Sequence, residues 1–479
     1  MRLFQTLILL TLLTSCSSWL DVGSKSEVDE DEMFQSAEGY YSSMTGLYLN
    51  LGTKALYGGN LPLLALEPLT QQYIVSADEP DRVQWAQFNY ETDGGQTMVN
   101  EIWLTMYHTI VNANMLLQQM AHADDVLDRS VSDILRGEAL GLRALMYSDL
   151  VRLFNEAPAA DAECRNVLLK TDFGFQLGEQ VSTGQLLDFL VSDLIQARSL
   201  LQHDPLVSSP AGVAYAPNPY LAYDRRQRMN YDACTALLAR IELYRGHYAE
   251  ADAFARELLD CGRYRYIKAD EIVTTDAYGA ELSADRIFMC EQIFALYTDQ
   301  ILTTSRTYYE GLMHDFVKTA DLLSEGDVRR QWLFANPSAL GKINLIRYQQ
   351  PTRQQDQQRY GVPVVPMLKL SEMQLIAAEC ALHEGLLDEA RLQLNTLRQA
   401  RGETPLPATS DANALNEALT HEYQSDFRGE GQLFYYYKRR GFTSIDDGFG
   451  KGNTVQVPAT AYTLPLPPYE KQFGYGQTK

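Results

Sequence analysis

The chain has 479 residues, 46% of them hydrophobic and 21% charged, which excludes a disordered tail protein and a collagen-like repeat. Its 62 Asp and Glu against 40 Lys and Arg give a formal charge of −22, which repels phosphate backbones and argues against nucleic acid as a partner. Tyr, at 29, outnumbers Phe, at 17, as suits surfaces where a ring packs and its hydroxyl stays wet.

The first residues read as a targeting segment. Arg2 precedes an apolar run, Leu3 to Leu13, of signal-peptide length and too short for a bilayer core of ~30 Å. Leu13-Thr14-Ser15-Cys16 has the order of a bacterial lipobox, in which the Cys is acylated, palmitate included, and becomes the first mature residue. The expectation is a lipoprotein signal peptide over 1–15, a lipidated Cys16 and a flexible acidic leash over 16–32. More than one acyl chain gives firm anchoring. No other run reaches eighteen apolar residues, so the fold should begin near Met33.

Apolar residues spaced by threes and fours predict helices at Ala37–Leu51, Ile102–Met120, Ile134–Phe154 and Leu186–Leu201. Tyr231–Leu259 and Met373–Leu397 can be overlaid. Each has small residues on a first helix, a Gly in the turn (Gly246, Gly385) and an Ala five residues later (Ala251, Ala390). That is tetratricopeptide (TPR) spacing, in which Ala admits close helix approach and Gly closes the turn. The segments 61–93, 206–228 and 267–365 are richer in Pro, Gly, Tyr, Gln and Asn and read as long loops with short strands. The fold class expected is mainly α, a TPR-like hairpin scaffold with irregular insertions.

Beyond Cys16 there are five cysteines, 164, 234, 261, 290 and 380, with no C-x-x-C pair and so no zinc knuckle or thioredoxin motif. Export would allow Cys234 and Cys261 to pair across a hairpin; simple buried thiols are the stronger expectation. No H-E-x-x-H, G-x-S-x-G, Walker loop or G-x-G-x-x-G after a strand occurs, and no His has metal-ligand spacing. These absences argue against an enzyme, and no cofactor or metal site is expected. The run Tyr435-Tyr436-Tyr437-Lys438-Arg439-Arg440 reads as packed tyrosines followed by cations at a helix C-terminus that ends at Gly441. His108, His314 and His383 read as ordinary helix or loop residues.

Several segments, in order, resemble the SusD/RagB family of outer-membrane lipoproteins. They are Trp19-Leu20-Asp21-Val22 with Met33-Phe34; the helix Ala37 to Leu51; Trp103 to Ile110 leading to Asn112-Ala113-Asn114; and Gly137-Glu138-Ala139 through Arg143-Ala144 to Leu153-Phe154 and Pro158. Leu370 to Cys380, Leu394-Asn395-Thr396-Leu397-Arg398 with Arg401-Gly402, Phe427 to Gln432 through Tyr437-Lys438-Arg439, and Tyr462 to Pro467 complete the series. Leu433 stands where the family has Arg, Tyr436-Tyr437 where it has Asp-Leu, and Lys369 where it has Arg. The resemblance implies one SusD-like domain over 33–479, an N-terminal part of about 33–228 and a C-terminal part of about 229–479. It implies a surface-exposed lipoprotein of a Gram-negative outer membrane that captures glycans and delivers them to a SusC-like TonB-dependent transporter. The TPR helices would face the transporter and the irregular half would hold the ligand. A peptide-binding RagB-like lid is the alternative, and a lipoprotein glycoside hydrolase a more distant one.

Sugar rings pack their C–H faces on flat aromatics while their hydroxyls need planar polar groups. The first long loop carries Tyr73, Asp78, Gln84, Trp85, Gln87 and Asn89, and the later one Tyr297, Arg306, Tyr308, Tyr309 and Trp332. The ligand-binding candidates are therefore Trp85 as stacking platform, Tyr73, Tyr308 or Trp332 as a second, and Asp78, Asn89 and Tyr297 as flanking contacts.

Overall fold

The computed structural model describes residues 33–208, 220, 224–275, 277, 281–310, 316–318, 323–335, 343–349, 363–448 and 452–472. The expected signal peptide, Cys16, the leash and His314 lie outside the described residues. Eleven helices carry the argument below: α1 (Ala37–Leu51), α2 (Pro80–Ala86), α3 (Asp93–Gln119), α4 (Arg129–Phe154), α5 (Thr183–Leu200), α6 (Tyr231–Arg245), α7 (Tyr248–Asp260), α8 (Leu370–His383), α9 (Leu387–Arg401), α10 (Ala412–Asp426) and α11 (Gln432–Arg440). Strands are short and pair antiparallel in twos. The longest pair is β1 (Gln292–Tyr297) with β2 (Val364–Lys369). The chain is mainly helical, as its periodicity predicts.

Local chemistry sets the helix ends. Ser36, Thr92, Asn230 and Asp411 accept backbone N–H bonds at the N-termini of α1, α3, α6 and α10. Ser182 and Gln185 form a reciprocal capping box on α5. The two overlaid segments do fold as antiparallel hairpins, α6–α7 and α8–α9, in contact through α7 and α8. Gly246 and Gly385 sit in the turns at φ 82° and 73°, a left-handed conformation that penalises any side chain. Ala251, Ala255, Ala377, Ala378 and Ala390 are fully buried along the seams.

Helix α4 is the axis of the N-terminal part, and nearly every residue from Ile134 to Phe154 is buried. Such a helix can carry a charge only where it is answered. Arg143 makes two bonds to Asp193 of α5, at 2.8 and 2.9 Å, and a third to Asn114 of α3. At its C-terminus Lys438 donates to the carbonyls of Arg152 and Asn155, at 2.8 and 2.6 Å, so the basic run in α11 works as a helix cap from another helix. Tyr435, Tyr436 and Tyr437 are buried, as expected.

Ion pairs, two of them bidentate, join the helices of the C-terminal part. Arg240 of α6 meets Glu372 of α8 at 2.6 Å, Arg256 of α7 meets Glu389 of α9 at 2.9 Å, and Arg439 of α11 holds both oxygens of Glu379 at 2.7 Å. A larger network centres on Asp426 at the end of α10. It accepts from Arg401 (2.8 Å), Ser371 (2.6 Å) and Lys369 (3.0 Å), with Arg329 at 3.4 Å. Arg401 in turn grips Glu291 through two bonds of 2.6 Å, and Arg329 reaches Glu422 at 2.9 Å.

Two expectations change. Segment 61–93 is not a plain loop: it holds a π-helical turn at Asn60–Leu64 and helices at Leu66–Leu69 and Pro80–Ala86. Its prolines read as breakers, but Pro80 occupies a first helical turn, where a missing N–H costs nothing. The five thiols past Cys16 are free, but only Cys234 and Cys380 are buried, while Cys164, Cys261 and Cys290 are half-buried near chain bends.

Burial pushes the Glu422 carboxyl up, but the Arg329, His421 and Arg398 charges outweigh it and hold it at about 2. A depressed carboxyl contributes stability that is whole above the unfolded value of ~4.3 and lost as pH falls toward 2. Glu422→Gln should therefore flatten the fall in urea-unfolding stability across that window, and Asp426→Ala should cost about 3–5 kcal/mol at neutral pH, because it leaves buried cations unpaired.

Candidate functional site

Two distant stretches of chain, 52–63 and 298–309, run alongside each other. Thr298 Oγ1 donates to the carbonyl of Gly52 at 2.5 Å, Thr304 Oγ1 to Gly58 at 3.0 Å and Tyr309 Oη to Leu63 at 3.1 Å. Every rung has the same sequence offset, 246 residues, so the two segments are held in parallel register. Each segment ends in a π-helical turn, Asn60–Leu64 and Arg306–Glu310. Such turns are rare and recur at functional sites.

Both π turns open onto one recess of about 240 Å³, closed on its other sides by α2 and the start of α3. Tyr308 forms one wall, half-buried, with the Arg82 guanidinium 4.5 Å from its ring centroid. Arg82 also lies 3.1 Å from Glu79. Lys54, Asp81 and Glu101 stand exposed around the opening, and Asn60 donates to Glu101 at 3.3 Å. At the floor the Gly94 N–H donates to Asp81 Oδ2 at 3.2 Å. A Cβ on Gly94 would stand 2.5 Å from that same oxygen, so only glycine lets Asp81 approach the helix N-terminus so closely. The recess thus offers one accessible ring, a pinned guanidinium and several carboxylates and amides.

Trp85 lies at the back of this recess and is 1% exposed. Its indole N–H donates to the Ala65 carbonyl at 2.7 Å, and its ring tilts against Tyr90 at 4.7 Å. The ring therefore pins the loop to the core. Tyr73 is buried as well. It donates to Glu67 at 2.5 Å and meets Tyr309 edge-on at 5.1 Å, both of them core residues. Tyr297 is 46% exposed at the end of β1, one residue before the first rung, and donates to Asp299 at 3.1 Å.

Asp78 and Asn89 are exposed and bond locally to Ser76 and Gln84 rather than lining the recess. Gln87 and Arg306 are exposed and Gln84 half-buried. Trp332 belongs to the short helix Val328–Leu333, and its side chain lies outside the described residues.

Of the sequence candidates, Trp85 and Tyr308 meet in one cavity. Lys54, Asn60, Glu79, Asp81, Arg82 and Glu101 complete it without having been singled out, because charged and amide side chains in this chain are too common to select by type. The E-x-x-R spacing of Glu79 and Arg82, behind the proline that starts α2, was the one local cue.

Residues 18–221 match a family model named SusD-like and described as starch-binding and associating with the outer membrane. The fold is shared with a SusD superfamily protein from Bacteroides fragilis, at TM-score 0.71 and 21% identity over 92% of this chain and 98% of that one. It is shared with another from Bacteroides thetaiotaomicron, at TM-score 0.70 and 20% identity over 91% and 98%. The chain therefore has the SusD-like fold, and its N-terminal part matches the SusD-like family model. A SusD-like carbohydrate binding protein from Bacteroides vulgatus has the same fold at TM-score 0.67 and 17% identity, over 91% of this chain and 96% of its own. No curated protein matches the sequence.

These placements separate core from surface. Trp85→Ala should lower unfolding stability by about 3–5 kcal/mol, the cost of emptying a large buried aromatic site. Tyr308→Ala should lower it by less than about 1.5 kcal/mol, because that ring is only partly buried. Chemical denaturation of the two variants checks the ordering.

Proposed function

We propose that this protein is a SusD/RagB-family cell-surface nutrient-binding lipoprotein that captures a glycan in the recess beside Tyr308 and delivers it to a SusC-like TonB-dependent outer-membrane transporter. The observation that carries the reading is the pairing of one accessible aromatic face with a ring of planar polar groups. Tyr308 is held in place by Arg82, so its free surface is pre-positioned for a pyranose C–H face. Asn60, Asp81 and Glu101 line the same recess and supply donors and acceptors for sugar hydroxyls. Support for a carbohydrate ligand also comes from the family description and from the carbohydrate-binding name of the Bacteroides vulgatus relative.

Nothing in the recess resembles a hydrolase centre with one carboxylic acid and one nucleophile singled out by environment; its carboxylates are engaged with Arg82, Gly94 and Asn60. Binding and hand-over need no bond to be broken. The lipid on Cys16 and the leash over 16–32 would tether the body at the membrane while leaving it free to swing, with 33–479 acting as one SusD-like domain.

Isothermal calorimetry of the purified soluble body against a panel of neutral and acidic oligosaccharides tests the site. At least one should bind, and Tyr308→Ala should weaken it about tenfold, equivalent to about 1.4 kcal/mol, with the fold intact by circular dichroism. A panel with no binder, or a binder indifferent to Tyr308→Ala, would refute the assignment. Affinity purification of the full-length protein from detergent-solubilised membranes should bring down a TonB-dependent barrel, and Cys16→Ala should abolish palmitate labelling.

A further inference from the structure

Helices α4, α6, α8, α10 and α11 meet around a cavity remote in sequence from the glycan recess. It has about 40 Å³ of free volume, more than the ~10–15 Å³ that one water-sized occupant needs. Its polar wall includes Arg152, Arg240, Tyr244, Glu372, Tyr435 and Arg439.

Three donors in that wall have no hydrogen-bond partner: Arg152 Nε, Tyr244 Oη and Tyr435 Oη. Their residues are buried, at 4%, 5% and 5% exposure. The remaining nitrogens of Arg152 are engaged, one with Gln432 and one with Asp149, and its guanidinium lies 3.8 Å over the Tyr435 ring. A buried donor left unmade costs free energy, and three beside one cavity point to an occupant that accepts.

The charges give that occupant its sign. The wall holds three guanidinium groups and one carboxylate, Glu372, which is paired with Arg240. The carboxylates that answer Arg152 and Arg439, Asp149 and Glu379, are not part of the wall. Burial pushes both phenols above their ordinary value, so each keeps its proton and remains a donor at neutral pH. The rest of the wall includes Leu243, Ile376 and Phe427, which would leave a hydrated cation unsolvated.

We propose that this cavity is a site for a halide-sized anion, with chloride as the occupant in the cell, and that the ion fastens the junction of the five helices. Tyr244 and Arg439 also line an open groove of about 560 Å³, so the cavity shares part of its wall with a groove open to solvent.

Crystals of the soluble protein grown in sodium bromide test the site. A bromide anomalous peak is expected within about 3.5 Å of the two phenol oxygens and Arg152 Nε. Thermal melts in sodium chloride and in sodium gluconate at equal ionic strength provide a second readout. Chloride should raise Tm by about 1 °C or more over gluconate. Tyr244→Phe and Tyr435→Phe keep the rings and remove the donors, and each should shrink that increment toward zero. A cavity without anomalous signal, occupied by water alone, overturns the proposal, and so does a chloride increment that both variants retain in full.

Discussion

Asp426 is a carboxylate almost without water, and groups from four separate parts of the chain hold it. Arg401 comes from α9, Lys369 from the end of β2, Ser371 from α8 and Arg329 from a short helix in the irregular region. Burial alone would push its proton affinity up; the Arg401, Lys369 and Arg329 charges outweigh that and hold the carboxyl well below its usual range. No partner can leave without exposing another to an unpaired buried charge, and that interdependence makes the arrangement specific. The same residues fix the loop that follows. Lys369 and Arg347 bind Glu430, at 2.9 and 2.5 Å, and Gly431 N–H donates to Glu67 at 2.9 Å.

That last bond links the helical scaffold to the recess. Glu67 also accepts from Tyr73, which packs on Tyr309, which donates to Leu63 at the end of the ladder between the two π turns. The recess wall is thus built on a run of buried hydrogen bonds and one ring contact leading back toward Asp426. A loop so held costs little to order when a ligand arrives, which is the physical content of pre-organisation. It also explains why Trp85 and Tyr73, the most conspicuous aromatics of their segment, are inside: they brace the loop that presents Arg82 to Tyr308.

Identity to the structural neighbours stays between 16% and 21% among those compared, while more than 90% of the chain superposes in most of them. A scaffold of helices sealed by small residues and bidentate ion pairs tolerates such drift, because each seam needs a size or a charge at a position and not a particular surface. Lys369 illustrates it. It stands where the family carries Arg, yet its ammonium reaches both Asp426 and Glu430. Leu433, Tyr436 and Tyr437 also depart from the family pattern, and all three are buried.

The sequence by itself determined the elements whose signal is local. The bounds of α1 coincide with the periodic run, and both hairpins follow from a Gly, an Ala and their spacing, because helix formation and a left-handed turn depend on near neighbours. The acidic charge, the lipobox pattern and the family resemblance were likewise readable in one dimension. Only the tertiary structure decided which aromatics face water. Trp85 and Tyr308 have the same composition cues around them, but burial is set by what the folded chain packs against each: Trp85 against Ala65 and Tyr90 of its own segment, Tyr308 against Arg82 from a distant one. The ladder with its offset of 246 residues and the ring of charges around Asp426 are long-range pairings, which no window of neighbouring residues records.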